Sequence, residues 1–125
     1  GEKREFYRGP ADRLTIRWKL QKAGSSEEWL PARGINISCG GLLVEIDSPL
    51  RKKERLLFEI SLPEPVRKNV NAKAVVKRAQ ARDVKRFFLA VEFTDHDADR
   101  CDDIMAYCFA EQRRMLREQV VTKDM

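Results

Sequence analysis

The sequence predicts an all-β domain that ends in a single α-helix. Six strand-like segments follow one another with short turns between them and no helical segment among them. Near residue 97 the hydrophobic period changes from two residues to the three-to-four of a helix. The chain has 125 residues, 42% of them hydrophobic, which suits one globular domain with its own core. An antiparallel barrel or a sandwich accommodates such a run of strands.

The strands are predicted mainly from alternation of apolar with polar side chains. In the first segment, Leu14, Ile16, Trp18 and Leu20 alternate with polar or charged residues, which is typical of a half-buried strand. Trp18 and Trp29 are predicted to pack rather than to stack on a ligand. A turn is predicted at residues 23–28, and strands at 14–20, 29–38, 42–46, 55–62, 70–79 and 86–93.

The last element is predicted as an amphipathic helix over residues 97–119. Its apolar residues recur at helical spacing, its first turns are rich in aspartate, and its last turns are rich in arginine. Both charge placements complement the helix dipole. The apolar positions are Cys101, Ile104, Met105, Cys108, Phe109, Met115 and Leu116.

Residues 1–9 are polar and basic and end at Gly9-Pro10. They have no apolar periodicity that would anchor them, so we expect a mobile arm that becomes ordered when it binds something. The predicted organisation is therefore a basic arm over 1–9, a β-domain over 10–96 and a helix of the same domain over 97–119.

The charge balance favours an anionic partner. The formal net charge is +5 and the sequence pI is about 9.3. No apolar run approaches the roughly 18 residues of a membrane span, and we see no signal peptide. The chain begins at Gly1 rather than methionine, so we expect further sequence beside it in the native protein.

Cysteine and histidine usage argues against metal chemistry. The three cysteines form no C-x-x-C pair, and there is one histidine. We therefore expect no metal, no cofactor, and reduced thiols in a cytoplasmic protein. Neither a phosphate-binding glycine loop nor a catalytic triad or carboxylate pair can be argued, so an enzyme is not expected.

Two motifs carry the functional prediction. Asn36, Ser38 and Gly41 read N-x-S-x-x-G, a pattern that occurs once, and Arg4 and Arg8 read R-x-x-x-R. With 15 arginines in the chain, the arginine spacing alone has little meaning, since it recurs at Arg13/Arg17, Arg51/Arg55, Arg78/Arg82, Arg82/Arg86 and Arg113/Arg117. The order and separation of the two motifs supply the specificity.

In that order and at that separation, the two motifs resemble those of the PilZ domain family, bacterial receptors for cyclic di-GMP. The resemblance covers essentially the whole chain and implies a six-stranded antiparallel β-barrel with a C-terminal helix. It also implies that Arg4 and Arg8 bind the ligand together with Asn36, Ser38 and Gly41. Lys3, Gly40 and Arg78 are secondary candidates.

The chemistry of these residues agrees with that implication. Arginine binds phosphate bidentately and also reads or stacks on guanine. Asn36 and Ser38 are two apart in a strand and therefore project to the same side. Gly41 has no Cβ, so a ligand or another backbone can approach closely.

The sequence is compatible with three functions. The first is a non-catalytic cyclic di-GMP receptor, in which the arm folds over the ligand and relays the signal to a protein partner or flanking domain. The second is a PilZ-like adaptor that acts by protein contacts without ligand. The third is a small basic barrel that binds nucleic acid, which the scarcity of exposed aromatic residues for base stacking disfavours.

Overall fold

The computed structural model describes residues 8–22 and 28–123, with side chains as far as residue 119. It has a closed six-stranded antiparallel barrel, one additional short strand and one C-terminal helix, which confirms the predicted fold class. Most of the predicted turn at 23–28 lies outside the described residues. The elements are β1 (Gly9–Pro10), β2 (Thr15–Leu20), β3 (Leu30–Ser38), β4 (Gly41–Ile46), β5 (Arg55–Leu62), β6 (Lys68–Ala81), β7 (Phe87–Phe93) and α1 (Ala98–Lys123).

Strand β3 closes the barrel because it is long enough to have three neighbours. Its first residues pair with β2, and its later residues pair with β4 on one side and with β1 on the other. The remaining order runs from β2 through β5, β6 and β7 to β4. Register shifts fall between Gly34 and Asn36 and between Val76 and Arg78. Such bulges bend a strand locally, as closure of a small barrel requires.

The barrel interior is filled by one side of each strand, as the alternation predicts. In β6, for example, Val70, Ala72, Ala74 and Val76 are buried, while Asn71 and Lys73 between them are exposed. Trp18 is buried in the core, as predicted. Trp29 instead lies outside the core, where Arg17 and Lys19 sit over its ring at 5.7 and 4.7 Å.

The short strand β1 is a feature that sequence alternation did not predict. Gly9 is paired with Ile37, and a Cβ on Gly9 would lie 2.9 Å from the Cys108 sulfur. The Tyr107 hydroxyl donates a hydrogen bond to the Pro10 carbonyl. Gly9 therefore belongs to the barrel, held between β3 and α1, rather than to a free arm.

Helix α1 is fixed to the barrel by its first half. The buried Arg100 guanidinium donates to the carbonyls of Asn71 and Asp95, at 3.0 and 2.7 Å. Ile104, Tyr107 and Cys108 are buried one and two turns later, at helical spacing. The backbone stays helical to Lys123, four residues beyond the predicted end at 119. Within the described part of the chain, no helix is long and apolar enough to cross a membrane.

Candidate functional site

The site is built on the tight turn between β3 and β4. The Ser38 hydroxyl accepts a hydrogen bond from the Gly40 amide at 3.2 Å, and the Gly40 carbonyl accepts one from the Phe93 amide at 2.8 Å. The first bond closes the turn, and the second ties it to the end of β7. Ser38 thus holds the turn while its own hydroxyl proton remains able to donate.

Gly41 is required by the packing of the barrel. It is paired with Glu92, and a Cβ at position 41 would lie 2.1 Å from the Val91 carbonyl oxygen. That distance is far below any van der Waals contact, so a side chain would push β4 and β7 apart. The close approach that this glycine permits is therefore that of another backbone.

An open cavity of about 310 Å³ lies on the outer face of the barrel beside this turn. The structure brings six of the sequence-predicted site residues to its lining, drawn from both primary and secondary candidates. They are Arg8, Asn36, Ser38, Gly40, Gly41 and Arg78. The other candidates, Lys3 and Arg4, lie outside the described residues.

The floor of the cavity is one row of side chains that crosses four strands. Asn36 is opposite Leu43, Leu43 opposite Ala90, and Ala90 opposite Arg78. With strands about 4.8 Å apart, the three intervals of this row span roughly 14 Å. A polar amide at one end and a guanidinium at the other therefore flank an apolar centre. Leu43 and Ala90 are site residues that the motifs did not identify, because the pairing register is needed to find them.

The electrostatics of the cavity favour an anion. Within the described residues, no carboxylate forms an ion pair with Arg8 or Arg78, so both guanidinium groups can serve a ligand. The one acidic residue in the lining, Glu92, lies 3.4 Å from the Lys77 ammonium. The net charge of the cavity lining is therefore positive, which favours a phosphate-bearing ligand.

Three other arginines of the same outer face are held by Glu45. Its buried carboxylate accepts hydrogen bonds from Arg33 at 2.8 Å and Arg82 at 2.7 Å, and Arg86 lies 3.7 Å away. The bond from Arg82 lowers the pKa of Glu45, with burial opposing the shift and Arg33 reinforcing it. Arg82 and Arg86 share the spacing of the arginine motif, but they hold this carboxylate in place.

The cysteines are the main departure from the sequence analysis. Three reduced thiols were expected, but Cys39 and Cys101 form a disulfide across 62 residues, with their Cα atoms 4.8 Å apart. Such a separation in sequence carries no spacing signal, so the pairing could not be predicted from the cysteine pattern. The bond joins the turn of the site to the first part of α1.

A PilZ domain family model matches residues 2–110 of this chain. The match includes both sequence motifs, the barrel and the first half of α1. No curated protein has a significantly similar sequence.

Solved structures that share this fold include the following two. The Bacillus subtilis inhibitor of motility, MotI/DgrA, superposes with a TM-score of 0.70 at 24% identity, over 94% of this chain and 53% of that one. This chain thus spans about half the length of that protein. The PilZ domain of YcgR from Escherichia coli, solved with c-di-GMP, gives a TM-score of 0.67 at 14% identity, over 94% of this chain and 98% of that one.

Proposed function

This chain belongs to the PilZ domain family, and on that premise we propose that it is a non-catalytic receptor for cyclic di-GMP. The observation that carries the proposal is the convergence of Arg8, Asn36, Ser38 and Arg78 on one cavity. These residues come from three separate parts of the sequence and include members of both motifs. The YcgR domain, which has the same fold, was solved with this ligand.

The phosphates of cyclic di-GMP are assigned to the arginine motif. Arg8 immediately precedes β1, so its backbone is positioned by the pairing of Gly9 with Ile37. Its guanidinium can donate two parallel hydrogen bonds to a phosphodiester. We propose that Arg4, outside the described residues, contacts the same ligand, and that Lys3 adds positive charge beside it.

A guanine base is assigned to the row across the barrel face. The half-buried side chains of Leu43 and Ala90, which are paired across β4 and β7, offer the base an apolar packing surface. Asn36 can both donate to and accept from a guanine edge, and Arg78 can read the O6/N7 pair or stack on the ring. Ser38 and Gly40 shape the turn beside this base.

The output of binding is proposed to be a change of surface. Arm, ligand and barrel face together form a surface that the free protein lacks, which a protein partner or a flanking domain in the same cytoplasm can recognise. The barrel itself should change little, because its strands are fixed by core packing that the ligand does not contact. No catalytic step is assigned to any residue.

Isothermal titration calorimetry with cyclic di-GMP tests the proposal, with GTP and cyclic di-AMP as controls. We expect saturable binding of cyclic di-GMP at physiological salt and much weaker binding of both controls. Equal binding of all three nucleotides, or no heat with cyclic di-GMP, would contradict it. Binding of a random single-stranded oligonucleotide that falls steeply with salt would instead favour a nucleic-acid-binding barrel.

A further inference from the structure

The disulfide occupies an informative position in the proposed site. Cys39 lies between Ser38 and Gly40, both of which line the cavity, and its partner Cys101 lies in the first turns of α1. Both cysteines are partly exposed. A bond between them therefore connects the binding turn to the helix near the protein surface.

Cys101 stands on a part of the helix that is fixed without the disulfide. The neighbouring Arg100 is 5% exposed, donates to two backbone carbonyls and lies 3.2 Å from the Asp95 carboxylate. Its guanidinium also sits 4.9 Å from the centre of the Phe93 ring. Reduction would thus leave Cys101 in place beside Cys39, so that the two thiols remain close enough to reoxidise.

The binding turn has fewer restraints of its own. Apart from strand pairing at Ser38 and Gly41, it is held by the Ser38–Gly40 and Gly40–Phe93 hydrogen bonds. The disulfide is the covalent restraint on it. Opening this bond would increase the number of conformations available to the turn before ligand binds.

The third cysteine provides an internal contrast. Cys108 is 2% exposed, and burial raises the pKa of its thiol to about 11. Since the thiolate is the species that reacts, Cys108 is a poor participant in thiol–disulfide exchange. Exchange is therefore directed to Cys39 and Cys101.

We propose that the Cys39–Cys101 pair is a reversible redox clamp that sets the affinity of the binding turn for cyclic di-GMP; this rests on the proposed function. In the oxidised form the turn is pre-organised, so less conformational entropy is lost on binding. We expect the oxidised protein to bind about 3- to 10-fold more tightly than the reduced protein.

The chemistry is exchange with a low-molecular-weight disulfide such as oxidised glutathione. One protein thiolate attacks a glutathione sulfur, forming a mixed disulfide and expelling one glutathione thiolate. The second protein thiolate then attacks the protein sulfur of that mixed disulfide, closing the Cys39–Cys101 bond and releasing the second glutathione. Two electrons pass from the protein dithiol to glutathione, two protons are released and taken up by the two glutathione thiolates, and excess reduced thiol reverses the process.

The test compares the whole chain after equilibration with reduced and with oxidised glutathione. Mass spectrometry after alkylation counts the free thiols, and calorimetry gives the dissociation constant for cyclic di-GMP in each state. We expect one free thiol and tighter binding after oxidation. The Cys39→Ser/Cys101→Ser double variant, which cannot form a mixed disulfide at the turn, should bind equally in both states with the affinity of the reduced protein, whereas Cys108→Ala should keep the redox dependence.

The outcomes separate this inference from the receptor function. Three results would overturn the clamp and leave the receptor function intact. They are equal binding in both states, weaker binding after oxidation, and three free thiols under oxidised glutathione. If cyclic di-GMP binds in neither state, the proposed receptor function is wrong, and so is the proposed redox control of its affinity. As a second readout without ligand, amide exchange at residues 36–41 should be slower in the oxidised protein, and equal exchange would also contradict the clamp.

Discussion

Arg8 and Arg51 each begin or end an R-x-x-x-R pair, yet their surroundings differ. Both are exposed, but Arg8 lines the cavity beside Asn36 and Ser38, whereas Arg51 lies in the connection between β4 and β5 and does not line it. The motif spacing alone would therefore assign both arginines to ligand binding, whereas their positions in the fold assign only Arg8 to it. The same distinction applies to Arg82, which has the motif spacing but is held by Glu45.

We predict that Arg8→Ala weakens cyclic di-GMP binding at least about tenfold more than Arg51→Ala does, which corresponds to about 1.4 kcal/mol. The reason is that Arg8 can contact a phosphate while Arg51 adds only to the net charge. Calorimetry of the two variants measures the difference. Equal losses would mean that bulk charge controls binding.

Gly41 and Gly40 are adjacent but differ in what they can tolerate. A Cβ at Gly41 would meet the Val91 carbonyl at 2.1 Å, whereas at Gly40 the nearest atom is the Ser38 hydroxyl at 3.9 Å. We predict that Gly41→Ala destabilises the barrel by about 1–3 kcal/mol or more, while Gly40→Ala changes stability by about 0.5 kcal/mol or less. Urea denaturation compares them, and equal effects would contradict the packing explanation.

The Glu45 carboxylate gives a prediction with a defined sign in pH. Since Arg82 and Arg33 hold its pKa below the ordinary value, the folded state favours the ionised form. Its stabilisation is complete above the unfolded pKa, which is about 4.3, and is lost as pH falls through the lower folded pKa. The difference in melting temperature between wild type and Glu45→Gln should therefore shrink as pH is lowered from about 6 to 3.

The exposed Glu28 provides the control for this measurement. Glu28→Gln should differ little from wild type at every pH. A gap between wild type and Glu45→Gln that stays constant or widens toward low pH would show that the ion pairs of Glu45 do not stabilise the fold.

At the scale of elements, α1 is joined to two different segments beside the cavity. The disulfide joins it to the β3–β4 turn near the start of the helix, and Tyr107 and Cys108 contact β1 two turns later. Helix α1 therefore contacts both the turn that carries Ser38 and the strand that directly follows Arg8. Between residues 112 and 119, the two large apolar side chains, Met115 and Leu116, are exposed, so this stretch of the helix adds little to the barrel core.

We predict that reduction of the disulfide lowers the free energy of unfolding by up to about 4 kcal/mol. The bond closes a loop of 62 residues, and the chain-entropy relation for such a loop gives about that value. Urea unfolding with and without reductant measures the change, and Cys101→Ser should reproduce the reduced value without responding to reductant. A loss below about 1 kcal/mol would mean that the disulfide does little to restrain the unfolded chain.

At the scale of the whole molecule, the sequence predicts what local patterns encode. The alternation of Leu14, Ile16 and Trp18 and the change of period near residue 97 were enough to predict the strands and the helix. Asn36 and Ser38 were predicted to project together because a strand has a period of two, and both line the cavity.

What the sequence did not predict depends on contacts between distant segments. Ala90 enters the site only through its pairing with Leu43 and Arg78, and Cys101 reaches Cys39 only after the barrel closes. Gly9 was assigned to the arm because nothing local indicates a strand, yet it pairs with Ile37 and contacts Cys108. These contacts depend on the pairing register of the strands and on closure of the barrel, and no local sequence pattern encodes either.

Amide hydrogen exchange with and without cyclic di-GMP tests most directly the central claim that the ligand binds the face shared by both motifs. We predict increased protection in residues 3–8 and 36–41, with little change in residues 97–119 or in the Arg82–Arg86 hairpin. Gly9 should change less than its neighbours toward the N-terminus, because it is already paired with Ile37. Protection confined to the hairpin, or no protection at residues 36–41 under saturating ligand, would contradict the account.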